Sequence, residues 1–175
     1  MMMSTDALPF SARSYHLSTC TLRRIENGDR DVLKASEILA TMDPWLTLGY
    51  GSENLLKLLR RKDNALSRYL ILMSEELAGV ACVRYPWLLG PYLELLAVFS
   101  PYQSTGIGSQ IMRWIEEQAR PKSSNVWVLV SSFNGRARKF YLNNGFYEIT
   151  TLPDLVKPGF DEILLRKSLT SSIGR

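Results

Sequence analysis

Gln103-Ser104-Thr105-Gly106-Ile107-Gly108 is the stretch of this chain that decides its fold. It follows an apolar segment, residues 93–99, and precedes an amphipathic segment, residues 109–120, so the pattern predicts a strand, a loop of small residues and a helix. The first N–H groups of a helix have no partners within it, and a loop rich in Gly, Ser and Thr lets a ligand approach the backbone closely. This order of elements predicts a binding site for phosphate groups.

Two common phosphate-binding loops do not fit this stretch. The nucleoside-triphosphate loop requires a Lys after its last glycine, but Ser109 follows Gly108. The dinucleotide loop requires a third glycine where Ile111 stands, and it belongs to an N-terminal βαβ unit that this sequence lacks. The pattern Q/R-x-x-G-x-G/A is complete, and it resembles the pyrophosphate loop of the GNAT superfamily of N-acetyltransferases.

A second segment, residues 134–146, resembles the other signature of that family, N-x-x-A-x-x-F/L-Y-x-x-x-G-F. Asn134 stands where a side chain caps a helix, and Gly145 stands where a left-handed residue ends one. One face of this helix carries Ala137, Phe140 and Tyr141. The two signatures occur in the family's order with an apolar strand between them, and the resemblance covers roughly residues 68–167.

The hydrophobic periodicity predicts elements in the order β-α-α-β-β-β-α-β-α-β-β, an α/β (α+β layered) fold. The predicted strands are 19–25, 69–74, 77–85, 92–99, 126–130, 146–150 and 161–167; the predicted helices are 29–42, 109–120 and two that begin at 52 and 134. The resemblance implies a GNAT-like mixed, mostly antiparallel sheet flanked by helices and splayed between its fourth and fifth strands. We expect one domain over residues 19–168, a flexible N-terminal extension (1–18) and a C-terminal tail (169–175).

The composition narrows the class of protein. Apolar residues make up 46% and charged residues 22% of the 175, which is typical of a single folded domain. No apolar run reaches the roughly 18 residues of a membrane-spanning helix, and the N-terminus lacks the pattern of a secretory signal. The net charge of +4 comes from scattered Lys and Arg residues rather than from a basic stripe. We therefore expect a cytoplasmic protein that binds neither membrane nor nucleic acid.

The few cysteine and histidine residues exclude two other kinds of site. Cys20 and Cys82 are too few for a disulfide framework, and their apolar, strand-like surroundings predict buried free thiols. With His16 as the only histidine, the chain has no cluster with the spacing of metal ligands, so we expect no metal.

The resemblance implies that acetyl-CoA is the acyl donor. The residues it assigns to the pyrophosphate are Gln103, Ser104, Thr105, Gly106, Ile107, Gly108 and Ser109. The residues it assigns to the pantetheine arm are Leu96, Ala97 and Val98 of the fourth strand, with Asn134, Ala137, Phe140 and Tyr141 of the second signature. The arm would hydrogen-bond to the free edge of the fourth strand, as an added strand does.

Two catalytic residues are predicted for direct transfer of the acetyl group to a primary amine. A free alkyl amine has a pKa of about 10.4, so a base must remove its proton before it attacks. Glu94 is the predicted base, because it alternates with Leu96 and Val98 along an apolar strand and burial would raise its pKa; a water chain is the alternative. Tyr141 is the predicted acid for the departing thiolate, at the position of the family's usual tyrosine.

The acceptor is less well specified by the sequence. The resemblance places it between the loop that joins the first two helices and the loop before the fourth strand, where the residues are Asp43, Trp45, Tyr50, Arg84, Tyr85 and Trp87. A carboxylate attracts an ammonium group, and aromatic rings flank one through cation–π contacts. Small-molecule amines and protein or peptide amines both fit, as do a monomer and a homodimer. The alternative function is a non-catalytic module that binds acetyl-CoA or CoA and regulates a partner.

Overall fold

The fold alternates strands and helices, and the computed structural model describes it over residues 8–170. In that range the strands are β1 (Ser14–His16), β2 (Thr21–Arg24), β3 (Leu66–Met73), β4 (Glu76–Trp87), β5 (Gly90–Val98), β6 (Asn125–Ser131), β7 (Tyr147–Lys157) and β8 (Phe160–Ser168). The helices are α1 (Asp31–Leu39), α2 (Trp45–Leu48), α3 (Ser52–Arg60), α4 (Ile107–Ala119) and α5 (Gly135–Asn143). Every strand and helix that the periodicity predicts is present, with shifted ends.

All eight strands belong to one sheet, in the order β1-β2-β3-β4-β5-β6-β8-β7. Neighbouring strands are antiparallel except β5 and β6, which are parallel because the chain crosses between them through α4. The sheet is therefore mixed and mostly antiparallel, with helices beside it, and the predicted fold class is confirmed.

The core lies on both faces of the sheet. On one face, α4 and α5 pack against the central strands, in a cluster that includes Ile111, Tyr141 and Val128. On the other face, α1 and α3 pack against β3, β4 and β5. Cys20 belongs to the first cluster and Cys82 to the second, and both are buried free thiols as predicted. Among the described residues, none of β6 or β8 belongs to the second cluster, so this cluster does not extend over these two strands.

The parallel pair β5–β6 is joined only near its beginning. Tyr92 pairs with Trp127 and Leu93 with Val128, and no later pair forms between the two strands in the range that the structure describes. From Glu94 onward, the edge of β5 that faces β6 keeps its backbone N–H and C=O groups available. This confirms the expected splay, since β5 and β6 are the fourth and fifth predicted strands.

The N-terminal segment corrects the expectation of a flexible extension over residues 1–18. Residues 8–18 pack against the domain, and Phe10 is fully buried with its ring 5.3 Å from the ring of Trp114, centroid to centroid. The backbone carbonyl of Phe10 accepts a hydrogen bond from Tyr69 Oη at 2.7 Å. Local periodicity gives no sign of this contact, because it joins an isolated aromatic residue to residues far along the chain.

Two predicted loops contain regular structure. The loop predicted over residues 46–51 includes α2, which ends at Gly49 in a left-handed conformation with φ of 80°. The loop predicted over residues 151–159 belongs mostly to β7, which continues to Lys157. Pro153 is compatible with this strand, because β7 is an edge strand and no residue from 153 to 156 pairs with β8.

The C-terminal boundary also moves outward. Leu169 is buried, and its N–H donates to the carbonyl of Ser124 at 2.8 Å, so the packed domain continues past residue 168. Residues 1–7 of the expected extension and 171–175 of the expected tail lie outside the described residues.

Candidate active site

A cavity of about 740 Å³ opens where β5 and β6 diverge. The loop after β5 and the start of α4 line one end of it, and the α1–α2 region with Val156 of β7 lines the other. The predicted site residues on its wall are Asp43, Trp45, Tyr50, Glu94, Leu96, Ala97, Val98, Gln103, Ser104, Gly106, Ile107, Gly108, Ser109, Asn134, Ala137, Phe140 and Tyr141. Its volume is in the range of small-molecule and cofactor sites.

The loop at the first end presents its backbone to the cavity. Ser104 and Gly106 both have positive φ angles, 65° and 86°, and Gly106 is the residue that precedes α4. Within the part of the chain that the structure describes, no backbone N–H from Ser104 to Ser109 donates to another protein group. Six adjacent donors at a helix N-terminus match the needs of a pyrophosphate, which offers several acceptor oxygens and a negative charge.

The side chain of Gln103 holds this loop closed. Its Nε2 donates to the carbonyl of Val98 at 3.0 Å, and its Oε1 accepts from Arg136 Nη1 at 3.0 Å. The first contact ties the loop to the end of β5, and the second ties it to the first turn of α5. Arg136 thus brings a positive charge to the phosphate end of the cavity.

Close packing of α4 against α5 explains the second glycine of the loop. A Cβ atom on Gly108 would lie 3.0 Å from Cζ of Phe140, closer than such contacts normally come. The two sequence signatures therefore meet in space at this point. Asn134 begins α5 as predicted, since its side chain accepts from the N–H of Ala137 at 3.1 Å.

Tyr141 is held at the centre of the cavity wall. It is 6% exposed, and the rings of Phe140 and Phe146 lie 5.2 and 5.7 Å from its own. Burial, with a smaller contribution from Tyr92, raises its pKa well above the usual tyrosine value. No described protein group hydrogen-bonds its hydroxyl, which is neutral at physiological pH and can donate a proton to a ligand.

Glu94 lies on the cavity wall in a setting that differs from the expected one. Cys82 pairs with Leu95 and Val83 with Leu93, so Glu94 is the extra residue of a β-bulge. Arg84 Nε donates to its Oε2 at 2.8 Å. The expected alternation therefore fails here: Leu93 packs in one core cluster and Leu95 in the other. The carboxylate is ion-paired with Arg84 rather than isolated in an apolar environment.

Four predicted site residues do not line the cavity: Thr105, Arg84, Tyr85 and Trp87. The hydroxyl of Thr105 donates instead to the carbonyl of Tyr102 at 2.6 Å. Arg84 joins Asp63 and Glu94 in an ion-pair cluster. Tyr85 and Trp87 are partly buried and pack against other aromatic rings: Tyr85 lies edge-to-face with Phe10, and Trp87 contacts Tyr92 and, edge-to-face, Trp127.

Asp43, Trp45 and Tyr50 remain at the acceptor end of the cavity. Asp43 is exposed, and its Oδ1 accepts from both the N–H (3.2 Å) and the hydroxyl (2.6 Å) of Thr47. The carboxylate therefore caps α2 as well as lining the cavity. Above it, Lys157 Nζ at the end of β7 donates to the carbonyl of Leu48 at 3.1 Å. This contact connects β7 to α2 across the acceptor end.

Several polar residues of the wall were not among the site residues predicted from the sequence: Tyr92, Tyr102, Ser131, Arg136 and Glu162. Glu162 lies on β8 opposite Ser131 of β6, and Ser131 Oγ donates to its Oε1 at 2.7 Å. The sequence does contain one signal for Glu162: a carboxylate next to the alternating apolar residues Ile163 and Leu165 of a predicted strand. The pairing of β8 with β6, which brings Glu162 to the cavity, is not encoded in that local pattern.

The protein-family comparison identifies the group to which these features belong. Residues 32–146, well over half of the chain, match the acetyltransferase (GNAT) family. The chain belongs to this family. It is therefore an N-acetyltransferase that uses acetyl-CoA, in agreement with the phosphate loop and the divergent strands. No curated protein matches the chain in sequence.

Solved structures share the fold. A GNAT-family acetyltransferase from Desulfovibrio desulfuricans is 18% identical, with a TM-score of 0.69 over 86% of this chain and 99% of that one. Spermidine N-acetyltransferase from Vibrio cholerae, in complex with CoA and spermine, is 18% identical, with a TM-score of 0.69 over 90% and 99%. A GNAT family acetyltransferase from Elizabethkingia anophelis with acetyl-CoA bound is 18% identical, with a TM-score of 0.65 over 86% and 99%.

None of the helices in the described range is both long enough and apolar enough to cross a membrane.

Proposed function

We propose that this protein transfers the acetyl group of acetyl-CoA directly to a primary amine of a small molecule. The observation that carries the proposal is one cavity with three features on its wall: the unpartnered N–H groups of Ser104 and residues 106–109, the free edge of β5 and the hydroxyl of Tyr141. A ligand with a pyrophosphate at one end and a reactive thioester at the other spans these three features in that order.

The phosphate loop and β5 hold the donor. The N–H groups from Ser104 to Ser109 bind the pyrophosphate, and Arg136 adds a positive charge beside them. The peptide-like groups of the pantetheine arm hydrogen-bond to the free backbone of Leu96 and Val98, as an added strand does. Asn134, Ala137 and Phe140 line the other side of the arm. The donor supplies an acetyl group on a thioester, positioned near Tyr141.

The acid of the reaction is Tyr141. The amine nitrogen bonds to the acetyl carbonyl carbon, the carbon–sulfur bond breaks, and the thiolate takes the phenolic proton of Tyr141. The raised pKa of this side chain keeps the proton in place until the thiolate appears. A positioned acid of this kind contributes roughly 10²–10⁴-fold to a rate.

A small amine fits the acceptor end better than a folded protein surface does. The hydrogen bond from Lys157 Nζ to the carbonyl of Leu48 links β7 to α2 next to two residues of the cavity wall, Leu48 and Val156, and we take this link to favour a small acceptor. Trp45 and Tyr50 offer aromatic faces to an ammonium group, and Asp43 offers a carboxylate. The resemblance in fold to an enzyme crystallised with spermine is in keeping with an amine of this size.

Two measurements test the proposal. Calorimetry with acetyl-CoA, with ADP as a control that lacks the pantetheine arm, is expected to show binding that requires the arm. Thiol release is then measured with a panel of amines: spermine, a lysine peptide and an aminoglycoside. Turnover with at least one small amine supports the proposal. Binding without turnover across the panel contradicts it and favours the non-catalytic CoA-binding module instead.

A further inference from the structure

Glu162 is a buried carboxylate with an unusual set of neighbours. It is 4% exposed, yet it contributes to the wall of the cavity. The hydrogen bond from Ser131 Oγ fixes one of its oxygens, Oε1. Among the described residues, no Lys, Arg or His forms an ion pair with it. A buried carboxylate without a cation is costly, and such groups occur where they have a function.

The other two carboxylates on the cavity wall are already engaged. Glu94 accepts a hydrogen bond from Arg84 and lies 3.8 Å from Arg61, so both of its oxygens face a positive charge. Asp43 accepts two hydrogen bonds from Thr47 and is exposed to solvent. Both of those bonds reach Oδ1 of Asp43, so its Oδ2 is also without a described partner, but Asp43 is exposed. Glu162 is therefore the buried carboxylate of this cavity with an oxygen, Oε2, that no described protein group occupies.

The strand pattern places Glu162 on the face of the sheet that carries α1 and α3. Ile163 and Leu165 pack into the core cluster beneath α4 and α5. Alternate residues of a strand face opposite sides, so Glu162 and its partner Ser131 face the side of α1 and α3. The cavity wall that includes Ser131 and Glu162 also includes Trp45 and Val156.

We propose that Glu162 is the catalytic base that takes a proton from the acceptor amine. This assignment rests on the proposed acetyl transfer. The bound ammonium gives one proton to Glu162, which becomes a neutral carboxylic acid, and the free amine then attacks the thioester. The second proton that the nitrogen loses replaces the one that Tyr141 gave to the thiolate. Glu162 releases its proton to solvent, so the reaction yields an amide, a free thiol and one proton.

The environment of Glu162 suits this role. Burial raises the pKa of its carboxyl above the usual value, and the hydrogen bond from Ser131 opposes part of that rise. A base whose pKa lies closer to the working pH accepts protons from an ammonium more readily than an ordinary exposed carboxylate does. Burial and the negative charges of Glu94 and Glu162 also raise the pKa of Tyr92, which marks both carboxylates as neighbours of this ring.

The experiment compares Glu162→Gln with the wild-type enzyme, with spermine as the first acceptor. Glutamine keeps the shape and can still accept the hydrogen bond from Ser131. We expect kcat to fall roughly 10²–10⁴-fold, while the dissociation constant for acetyl-CoA is unchanged. The low-pH limb of the kcat profile should be lost, leaving a rate that rises toward the pKa of the amine, about 10.4.

Other titratable groups must be separated from Glu162 in that profile. Those that share the cavity are Asp43, Tyr50, Tyr92, Glu94, Tyr102, Arg136 and Tyr141, and Lys157 is hydrogen-bonded to the carbonyl of Leu48, a residue of the wall. Ser131→Ala separates them, because it removes a hydrogen bond that lowers only the pKa of Glu162. The low-pH limb should then move to higher pH, which a purely structural role of Ser131 would not produce. Glu117→Gln, the same change at an exposed position on α4, is the matched control and should leave the profile intact.

The outcomes distinguish the base assignment from the proposed function. Wild-type turnover in the Glu162→Gln variant, with its low-pH limb intact, overturns the assignment and leaves the proposed function standing. Loss of the limb in Glu94→Gln but not in Glu162→Gln overturns it in favour of Glu94. If the wild-type enzyme binds acetyl-CoA but acetylates none of the amines in the panel, the proposed function fails and the base assignment fails with it.

Discussion

The two ends of the cavity are built from different parts of the polypeptide. The phosphate end consists of backbone N–H groups from one short loop, residues 104–109, and these groups are available in any sequence that adopts the loop conformation. The acceptor end consists of side chains from elements far apart along the chain, including Trp45, Val156 and Glu162. A change of residue at the first end acts through bulk or charge, whereas at the second it removes the functional group itself.

The largest effect is expected at the phosphate end, from Gly108→Glu. The new side chain meets the ring of Phe140, because even its Cβ would lie 3.0 Å from Cζ, and its carboxylate competes with the phosphates for the N–H groups. We expect the dissociation constant for acetyl-CoA to rise by roughly 100-fold or more, about 2.7 kcal/mol. Calorimetry measures the loss.

The control for this variant is Gly51→Glu, which adds the same charge just before α3, far from the loop along the chain. A Cβ there has only Asn54 Oδ1 within 4 Å, at 3.6 Å, and the φ of −78° suits any residue. This variant should bind acetyl-CoA as the wild type does. Normal binding by Gly108→Glu would show that the phosphates lie elsewhere.

The next largest effect is expected from Tyr141→Phe, which removes the proposed acid that protonates the departing thiolate. The hydroxyl has no hydrogen-bond partner among the described residues, so its removal should not destabilise the fold. Without the acid, kcat should fall roughly 100-fold or more, and the dissociation constant for acetyl-CoA should stay the same. Stopped-flow detection of thiol release gives kcat.

Tyr147→Phe is the matched control for Tyr141→Phe, because Tyr147 is a half-exposed residue of the edge strand β7, outside the cavity wall. It should retain full activity. Equal rates in Tyr141→Phe and the wild type would mean that water protonates the thiolate.

A smaller effect is expected from Arg136→Gln at the phosphate end. This change removes the charge beside the loop and weakens the contact with Gln103 Oε1. Exposed charges contribute about 1 kcal/mol or less, so acetyl-CoA should bind roughly 3–5-fold more weakly. The difference should shrink as salt is raised from about 50 mM to about 500 mM. Arg113→Gln, at an exposed position on α4, is the control; an equal loss there would indicate a general charge effect.

The contrast between the two ends also explains how much of the molecule could be predicted from its sequence. The phosphate end was predictable because its residues are adjacent, or lie in one helix whose spacing from the loop is typical of the family. The positions of Gln103 and Asn134 within the two sequence signatures were enough to predict that both residues would line one cavity. The seven longer strands and four longer helices were predictable for the same reason, since each has its own periodicity.

The acceptor end depends on contacts that no local pattern contains. Glu162 reaches the cavity because β8 pairs with β6, which places it beside Ser131, 31 residues earlier in the chain. Glu94 left its expected environment because one extra residue in β5 forms a bulge, which brings its carboxylate to Arg84. Strand register and bulges are set by the whole sheet, so neither position could be predicted from alternation alone.

The smallest expected effect is on the stability of the fold, and it differs in sign between two carboxylates, Asp63 and Glu162. The hydrogen bond from Arg84 lowers the pKa of Asp63, so its stabilising contribution is present above the pKa of the unfolded state and is lost as the pH falls. Burial raises the pKa of Glu162, so the cost of burying its charged form is absent at low pH, and the free energy of unfolding falls as the pH rises.

At pH 7 Asp63→Asn should therefore lower the melting temperature, whereas Glu162→Gln should raise it. Both differences should shrink toward pH 3 in a thermal-melt series. Asp63 is in contact with solvent, which screens its charge, so its change should be the smaller of the two. A melting temperature at pH 7 that falls in Glu162→Gln would mean that this carboxylate stabilises the fold, which does not fit a group kept buried for catalysis.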